Sequence, residues 1–226
     1  MRLLRDHWQM LALVALVFAL WSTPVILPLK ILVVFLHELA HGLAAVATGG
    51  EIEGMTLSAR EGGSATTRGG SLFLVLSAGY LGSLLLGAVL FFAALRTGAD
   101  RAVMGLLGLL MIVIAVLYMR EAFALGFTAG SGAMMLLMAW FLPRSVNDLV
   151  LRVIGLTSLI YVPHDIFSDT IARAHLNSDA RMMADAFGGN TVLWGGLWLI
   201  LSGVVILMCL RLGHGAPSNI SFAGRG

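Results

Sequence analysis

Two histidines and a glutamate stand close together in one apolar stretch, which reads His37-Glu38-Leu39-Ala40-His41. Helical side chains four residues apart lie on the same face, so both imidazoles can reach one zinc ion while Glu38 lies beside the zinc-bound water. Zinc lowers the pKa of that water toward about 7, and a glutamate that takes its proton creates a nucleophile. The pattern predicts a zinc hydrolase, with His37 and His41 as ligands and Glu38 as catalytic base.

A catalytic zinc needs a third protein ligand and an open coordination position. Ionisable residues recur in a later apolar stretch, at His164, Asp165 and Asp169. If this stretch runs in the same direction as the first, Asp165 and His41 differ in depth by only about 8 Å, since a helix rises 1.5 Å per residue. Pro163 can bend the helix and turn the following side chains inward. We expect Asp165 to be the third ligand, with His164 and Asp169 as alternatives.

The composition places these residues in a membrane protein. Hydrophobic residues make up 59% of the 226 residues and charged residues 12%, against about 25% charged in a soluble domain. Such a chain cannot cover a water-facing surface with polar groups, so its partner is the lipid bilayer. The single Cys209 excludes a disulfide scaffold. Basic residues are scattered without a cluster, which argues against nucleic acid as a partner.

The apolar segments are long enough to cross a bilayer, which takes about 20 residues. They predict an all-α, polytopic transmembrane helix bundle of six or seven spans, because only Arg120 and Glu121 separate two of them. The expected segments are 9–29, 31–49, 71–95, 102–119, 121–142, 149–168 and 191–211.

The polar segments connect these spans within a single membrane domain, residues 1–226. The loop 50–70 is rich in Gly, Ser and Thr and follows the second span, and its expected form is a short β-hairpin. A strand from 52–60 could pair with an extended substrate and hold it against the zinc. The loop 169–190 is expected to form a short surface helix and turn, and the tail 213–226 to be mobile.

Small residues recur four positions apart in two of the spans, at Ala78 and Gly82 and again at Gly126 and Gly130. In lipid, where hydrophobic burial gives helices little drive to associate, small residues let helix backbones approach closely. We expect both pairs to lie at helix–helix contacts.

Five motifs occur along the chain: HELAHG at 37–42, SAGYLG at 77–82, YVPHDIFSD at 161–169, NSDA at 177–180 and WGGLW at 194–198. Together they resemble the peptidase M50B-like family, which belongs to the site-2-protease clan of intramembrane zinc metalloproteases. The resemblance covers roughly residues 30–205, although the Asp-Gly pair of better-known clan members does not occur. It implies zinc on His37 and His41, Glu38 as base, and an aspartate from a later helix as third ligand.

The residues and the resemblance together predict a zinc-dependent intramembrane endopeptidase. Its partner would be a membrane protein substrate, cleaved in or near a transmembrane segment. The alternative is a catalytically inactive membrane protein of the same scaffold that acts as a binding or scaffolding partner. The Gly/Ala/Leu-rich spans favour a bacterial inner membrane as the location.

Overall fold

The computed structural model describes residues 2–172, 177–213 and 218–220, so most of the predicted mobile tail lies outside the described residues. The chain forms eight α-helices and one two-stranded antiparallel sheet within these ranges. In chain order they are α1 Arg2–Leu20, α2 Leu27–Ala47, β1 Glu51–Leu57, β2 Gly63–Arg68, α3 Leu72–Arg96, α4 Asp100–Tyr118, α5 Ala122–Phe141, α6 Arg144–Phe167, a π-helical turn Ser168–Ala172, α7 Asp179–Phe187 and α8 Thr191–Gly213.

Six of the described helices are long and apolar enough to cross a membrane, which confirms the predicted fold class. They are α2, α3, α4, α5, α6 together with the turn that follows it, and α8. The break at Arg120 and Glu121 separates α4 from α5, so the predicted division between these spans is confirmed. Together with the composition, these helices make the chain an integral membrane protein.

Contacts at the helix ends show which way the helices run. Arg96 at the end of α3 binds the carbonyl of Leu212 in α8, and Arg101 at the start of α4 binds that of Leu142 after α5. The N-terminal turns of α1 lie at the same end, where the Ser218 N–H donates to the Asp6 carbonyl. Because α2 is antiparallel to α3, α2 also begins at this end. Helix α1 therefore does not pass from one end of the bundle to the other.

The polar loop after α2 forms the predicted hairpin, but the hairpin folds back along α2. Ile52 lies against Gly42, Gly63 lies against Glu38, and Lys30 Nζ is 3.3 Å from Glu61 Oε1 at the hairpin turn. Irregular backbone at membrane depth is tolerated where it packs on protein or lines a polar cavity. Met55 and Leu57 of β1 are buried in the core, so the hairpin is part of the bundle.

The core of the bundle lies between α2, α3 and α6. Phe35, Leu36 and Leu39 of α2 and Leu84 of α3 are almost completely buried there. Helix α6 is antiparallel to α3, with the Ser158 hydroxyl donating to the Ser83 carbonyl at 2.9 Å. Helices α2 and α6 therefore run in the same direction, as the depth argument for Asp165 assumed.

Candidate active site

The two histidines of α2 lie on one helix face and point toward α3. Their rings are 4.8 Å apart between centroids, and His41 is buried. His41 Nδ1 donates to the backbone carbonyl of Val75 at 2.7 Å. A carbonyl only accepts hydrogen bonds, so the proton of a neutral His41 lies on Nδ1 and the lone pair on Nε2. This is the arrangement in which an imidazole binds a metal through Nε2.

Gly79 of α3 provides the space in front of these nitrogens. A Cβ at this position would lie 2.5 Å from His37 Nε2, 2.5 Å from His41 Nε2 and 2.6 Å from Asp179 Oδ2. Any side chain at position 79 would therefore fill the point on which three potential ligand atoms converge. The glycine keeps that point open.

The third potential ligand atom comes from Asp179, the first residue of α7. Ser178 caps this helix by accepting a hydrogen bond from the Arg181 N–H. Asp179, Ala180 and Met183 are buried because α7 presents this face to α3 and α8. The turn that follows α7 is fixed by the Trp194 indole N–H, which donates to the Gly188 carbonyl at 2.9 Å.

Asp179 faces both imidazoles. Its Oδ2 lies 3.0 Å from His37 Nε2 and 3.2 Å from His41 Nε2. Burial acts to raise the pKa of Asp179, but the electrostatic effect of the nearby His41 and His37 rings outweighs it, and the pKa of this carboxyl falls well below its ordinary value. The carboxylate is therefore ionised at neutral pH.

The residues of this cluster fit a zinc ion. His37, His41 and Asp179 each offer one ligand atom, and these atoms lie within 4.8 Å of one another. Within the described part of the chain, the buried Asp179 Oδ2 has no hydrogen-bond partner, even though the two Nε2 atoms are close. A cation between these atoms would relieve that contact. Two imidazoles and a carboxylate with one position open is the usual ligand set of a hydrolytic zinc site.

Glu38 lies beside this cluster and is buried. Its carboxylate contacts β2, where a Cβ on Gly63 would come within 2.7 Å of Glu38 Oε1. The backbone of Ala65 is within hydrogen-bonding reach of the same carboxylate. The strand therefore holds Glu38 beside the convergent ligand atoms, where a general base is needed.

The structure places the three expected candidates for third ligand elsewhere. Asp165 lines the same cavity as the histidines but does not join the ligand cluster. Asp169 accepts a hydrogen bond of 2.6 Å from the Tyr80 hydroxyl. His164 is exposed on the other side of α6, where its ring lies 5.5 Å from that of Trp21. Asp179 thus occupies the position expected for Asp165.

Sequence reasoning missed Asp179 because it sought the ligand inside an apolar span. Asp179 lies in the loop 169–190, which was expected to form a surface helix. The helix is present, but its first turn is packed into the bundle. A signal was available in Ser178 followed by Asp179, because a capping serine and an acidic first residue mark the beginning of a helix.

A polar cavity of about 680 Å³ joins these groups. One wall is formed by β2 and the turn before it, through residues 61–67, and the other by α3, α6 and the start of α7. Five acidic side chains contribute to its lining: Glu38, Glu61, Asp165, Asp169 and Asp179. The cavity is large enough for a segment of extended peptide and gives water a path to the cluster.

Comparison with protein families gives a match to this chain. The family profile described as peptidase M50B-like matches residues 10–209, which is most of the chain. No curated protein and no solved structure matches the chain. The matched range contains the HExxH helix, Gly79 and Asp179, so every residue of the cluster lies inside it.

Proposed function

This chain belongs to the peptidase M50B-like family, and on that premise we propose that it is a zinc-dependent intramembrane endopeptidase. It hydrolyses a peptide bond in or near a transmembrane segment of another membrane protein. The observation that carries the proposal is the convergence of His37, His41 and Asp179 in front of Gly79, with Glu38 alongside. The proposed location is the bilayer of a bacterial inner membrane.

The chemistry divides between the metal and the chain. Zinc held by His37, His41 and Asp179 would act as a Lewis acid and acidify water. Glu38 accepts the proton of the attacking water and then passes it to the leaving amine. The Val75 carbonyl keeps the His41 lone pair directed at the cluster, and β2 keeps the Glu38 carboxylate beside it.

Strand β2 is suited to hold an extended peptide at the site. The Ser58 N–H donates to the Gly62 carbonyl, so these two residues form a hydrogen-bonded pair. Hydrogen-bonded and non-hydrogen-bonded pairs alternate along an antiparallel ladder. Residues 63 and 65 are therefore in non-hydrogen-bonded pairs, and their backbone N–H and C=O groups point away from β1. These groups face the cavity that contains Glu38. We therefore assign substrate pairing to β2 in place of the strand 52–60, since β1 faces α4 and α5 on its other side.

Zinc content tests the ligand set. Protein purified in detergent without chelators is expected to hold one zinc per chain. His41→Ala and Asp179→Ala should each lose it, because two remaining ligands hold zinc weakly. Asp165→Ala is the matched control, since it removes a carboxylate from the same cavity and should retain zinc. Zinc retained in Asp179→Ala and lost in Asp165→Ala would overturn the assignment.

Glu38→Gln separates the enzyme from an inactive scaffold. The amide cannot accept a proton, so this variant should retain zinc and lose cleavage of a reporter transmembrane substrate. Membrane proteins that remain bound to Glu38→Gln are then offered to the wild-type protein. If the wild type binds zinc and associates with these proteins but cleaves none of them, the scaffold alternative is correct.

Ala65→Pro tests both roles of β2 at the site, its contact with the Glu38 carboxylate and its pairing with substrate. The substitution removes an N–H that faces the cavity and is not part of the β1–β2 ladder, so the hairpin should remain folded. Cleavage should fall about tenfold or more, while zinc content stays at the wild-type value. Unchanged cleavage would remove β2 from the mechanism and leave the zinc site in place.

A further inference from the structure

The two histidines are held in different ways. A backbone carbonyl fixes the ring of His41 through a hydrogen bond of 2.7 Å to Nδ1. Among the described residues, His37 has no comparable backbone partner. Its ring lies instead against the ring of Tyr80, with centroids 4.8 Å apart and planes at 80°. Packing against Tyr80 therefore restrains the His37 ring, whereas a hydrogen bond restrains the His41 ring.

Tyr80 is itself fixed on two further sides. Its hydroxyl donates to Asp169 Oδ2 at 2.6 Å, in the π-helical turn after α6. Its ring also packs against Trp198 of α8, with centroids 5.3 Å apart. Tyr80 is one of the largest side chains in the bundle that is almost completely buried. The residue thus joins α2, α3, α8 and the π-helical turn at the level of the metal cluster.

We propose that Tyr80 is a positioning residue that sets the orientation of the His37 imidazole, with Asp169 holding the tyrosine in place. This inference rests on the proposed function and adds to it the reason why the residue after Gly79 is a tyrosine. The hydroxyl is required because its hydrogen bond to Asp169 fixes the far end of the ring, and a phenyl ring without that bond can tilt away from His37. The ring is required because its face limits the rotation of His37.

The chain also gives Asp169 a definite role. It was an alternative third ligand in the sequence analysis, yet its carboxylate binds the tyrosine instead. A carboxylate that holds a residue packed against a metal ligand tunes the site without touching the metal. Loss of a group that hydrogen-bonds a metal ligand typically weakens metal binding by about 10- to 100-fold, and we take that range as the scale for the packing of Tyr80 on His37.

The test measures metal binding directly, so that it does not depend on proteolysis. Apo protein in detergent is titrated with zinc in competition with a chromophoric chelator, and with Co²⁺ for its visible absorption spectrum. Tyr80→Phe is expected to weaken zinc binding about tenfold, and Tyr80→Leu about a hundredfold. Asp169→Ala should match Tyr80→Phe, and the double variant should be no weaker than either, since each removes the hydrogen bond between Tyr80 and Asp169. Tyr161→Phe is the matched control, a buried tyrosine outside the cavity.

The Co²⁺ spectrum distinguishes positioning from a general loss of stability. A displaced His37 changes the ligand field, so the absorption maxima should shift in Tyr80→Phe and Tyr80→Leu but not in Tyr161→Phe. Zinc affinities within twofold of wild type and unchanged spectra in both Tyr80 variants would overturn the inference and leave the proposed function standing. Absence of metal binding in wild type would overturn both.

Discussion

Gly79 of α3 and the pair Gly108 and Gly132 of α4 and α5 all lie where a side chain would collide with its surroundings. A Cβ on Gly108 would lie 2.6 Å from the Gly132 carbonyl oxygen, and a Cβ on Gly132 equally close to the Gly108 carbonyl oxygen. A Cβ on Gly79 would lie as close to its neighbours, but these are the potential ligand atoms of three side chains. The same residue type is thus used for backbone packing in one region and for an open site in the other.

The difference lies in what surrounds each glycine. Helices α4 and α5 are apolar and pack mainly on each other, with many large side chains exposed on their outer faces. In lipid such helices associate through close van der Waals contact, which small residues permit. Gly79 lies among buried ionisable groups, which are costly in a membrane and therefore mark function. The role of a closely packed glycine in a membrane protein therefore depends on which atoms lie opposite it.

Gly79→Ala is expected to have the largest effect. The added methyl group would come within about 2.6 Å of all three ligand atoms, so the atoms must separate and zinc binding should be lost. Zinc content per chain and the Co²⁺ spectrum are the measurements. The variant should still fold, because the methyl displaces the ends of side chains and leaves the helix backbones in place. One zinc per chain with an unchanged spectrum would contradict the geometry of the site.

Gly108→Ala is expected to lower stability without affecting the metal. The new methyl meets the backbone of α5, which cannot move aside without separating the two helices. Overpacking of this kind costs about 1–3 kcal/mol of unfolding free energy. The thermal midpoint in detergent should fall while zinc content stays at the wild-type value. Loss of zinc in this variant would show that the α4–α5 contact is coupled to the site.

Gly126→Ala should have the smallest effect, and it corrects an expectation from the sequence. Gly126 and Gly130 were expected at a helix contact, but a Cβ at either position meets nothing within 4 Å. Alanine in a helix interior is favoured over glycine by about 0.5–1 kcal/mol. The thermal midpoint should therefore be unchanged or slightly raised, with zinc retained. A clear loss of stability would indicate a contact with another chain on this face.

Much of the fold follows from the sequence because apolar length is a local property. The spans from α2 to α6 and α8 could be located within a few residues, and so could the hairpin between α2 and α3. The sequence did not predict that α1 fails to cross the bundle. Its apolar stretch is long enough for a span, but its N-terminal turns and the beginning of α2 lie at the same end of the bundle. That depends on how α1 packs against α6 and on residues 218–220 beside it.

The argument from depth correctly predicted the relative direction of the helices that carry His41 and Asp165. It was not sufficient to identify the third ligand. Helices α2 and α6 do run in the same direction, and Asp165 does reach the cavity. Depth along the bundle says nothing about the direction of a side chain around its helix axis. That direction leaves Asp165 at the cavity wall, while α7 brings a different carboxylate between the imidazoles.

The sequence by itself determined that His37 and His41 share a helix face with Glu38 between them in the chain, because that relation is fixed by the 3.6-residue period of one helix. It also determined that the chain spans a membrane. Only the tertiary structure decided that Asp179 completes the cluster, that Asp169 binds Tyr80, and that Gly79 keeps the centre open. These relations join residues up to 142 positions apart in the sequence, from His37 to Asp179. They depend on how α3, α7 and the π-helical turn pack together, which no local pattern specifies.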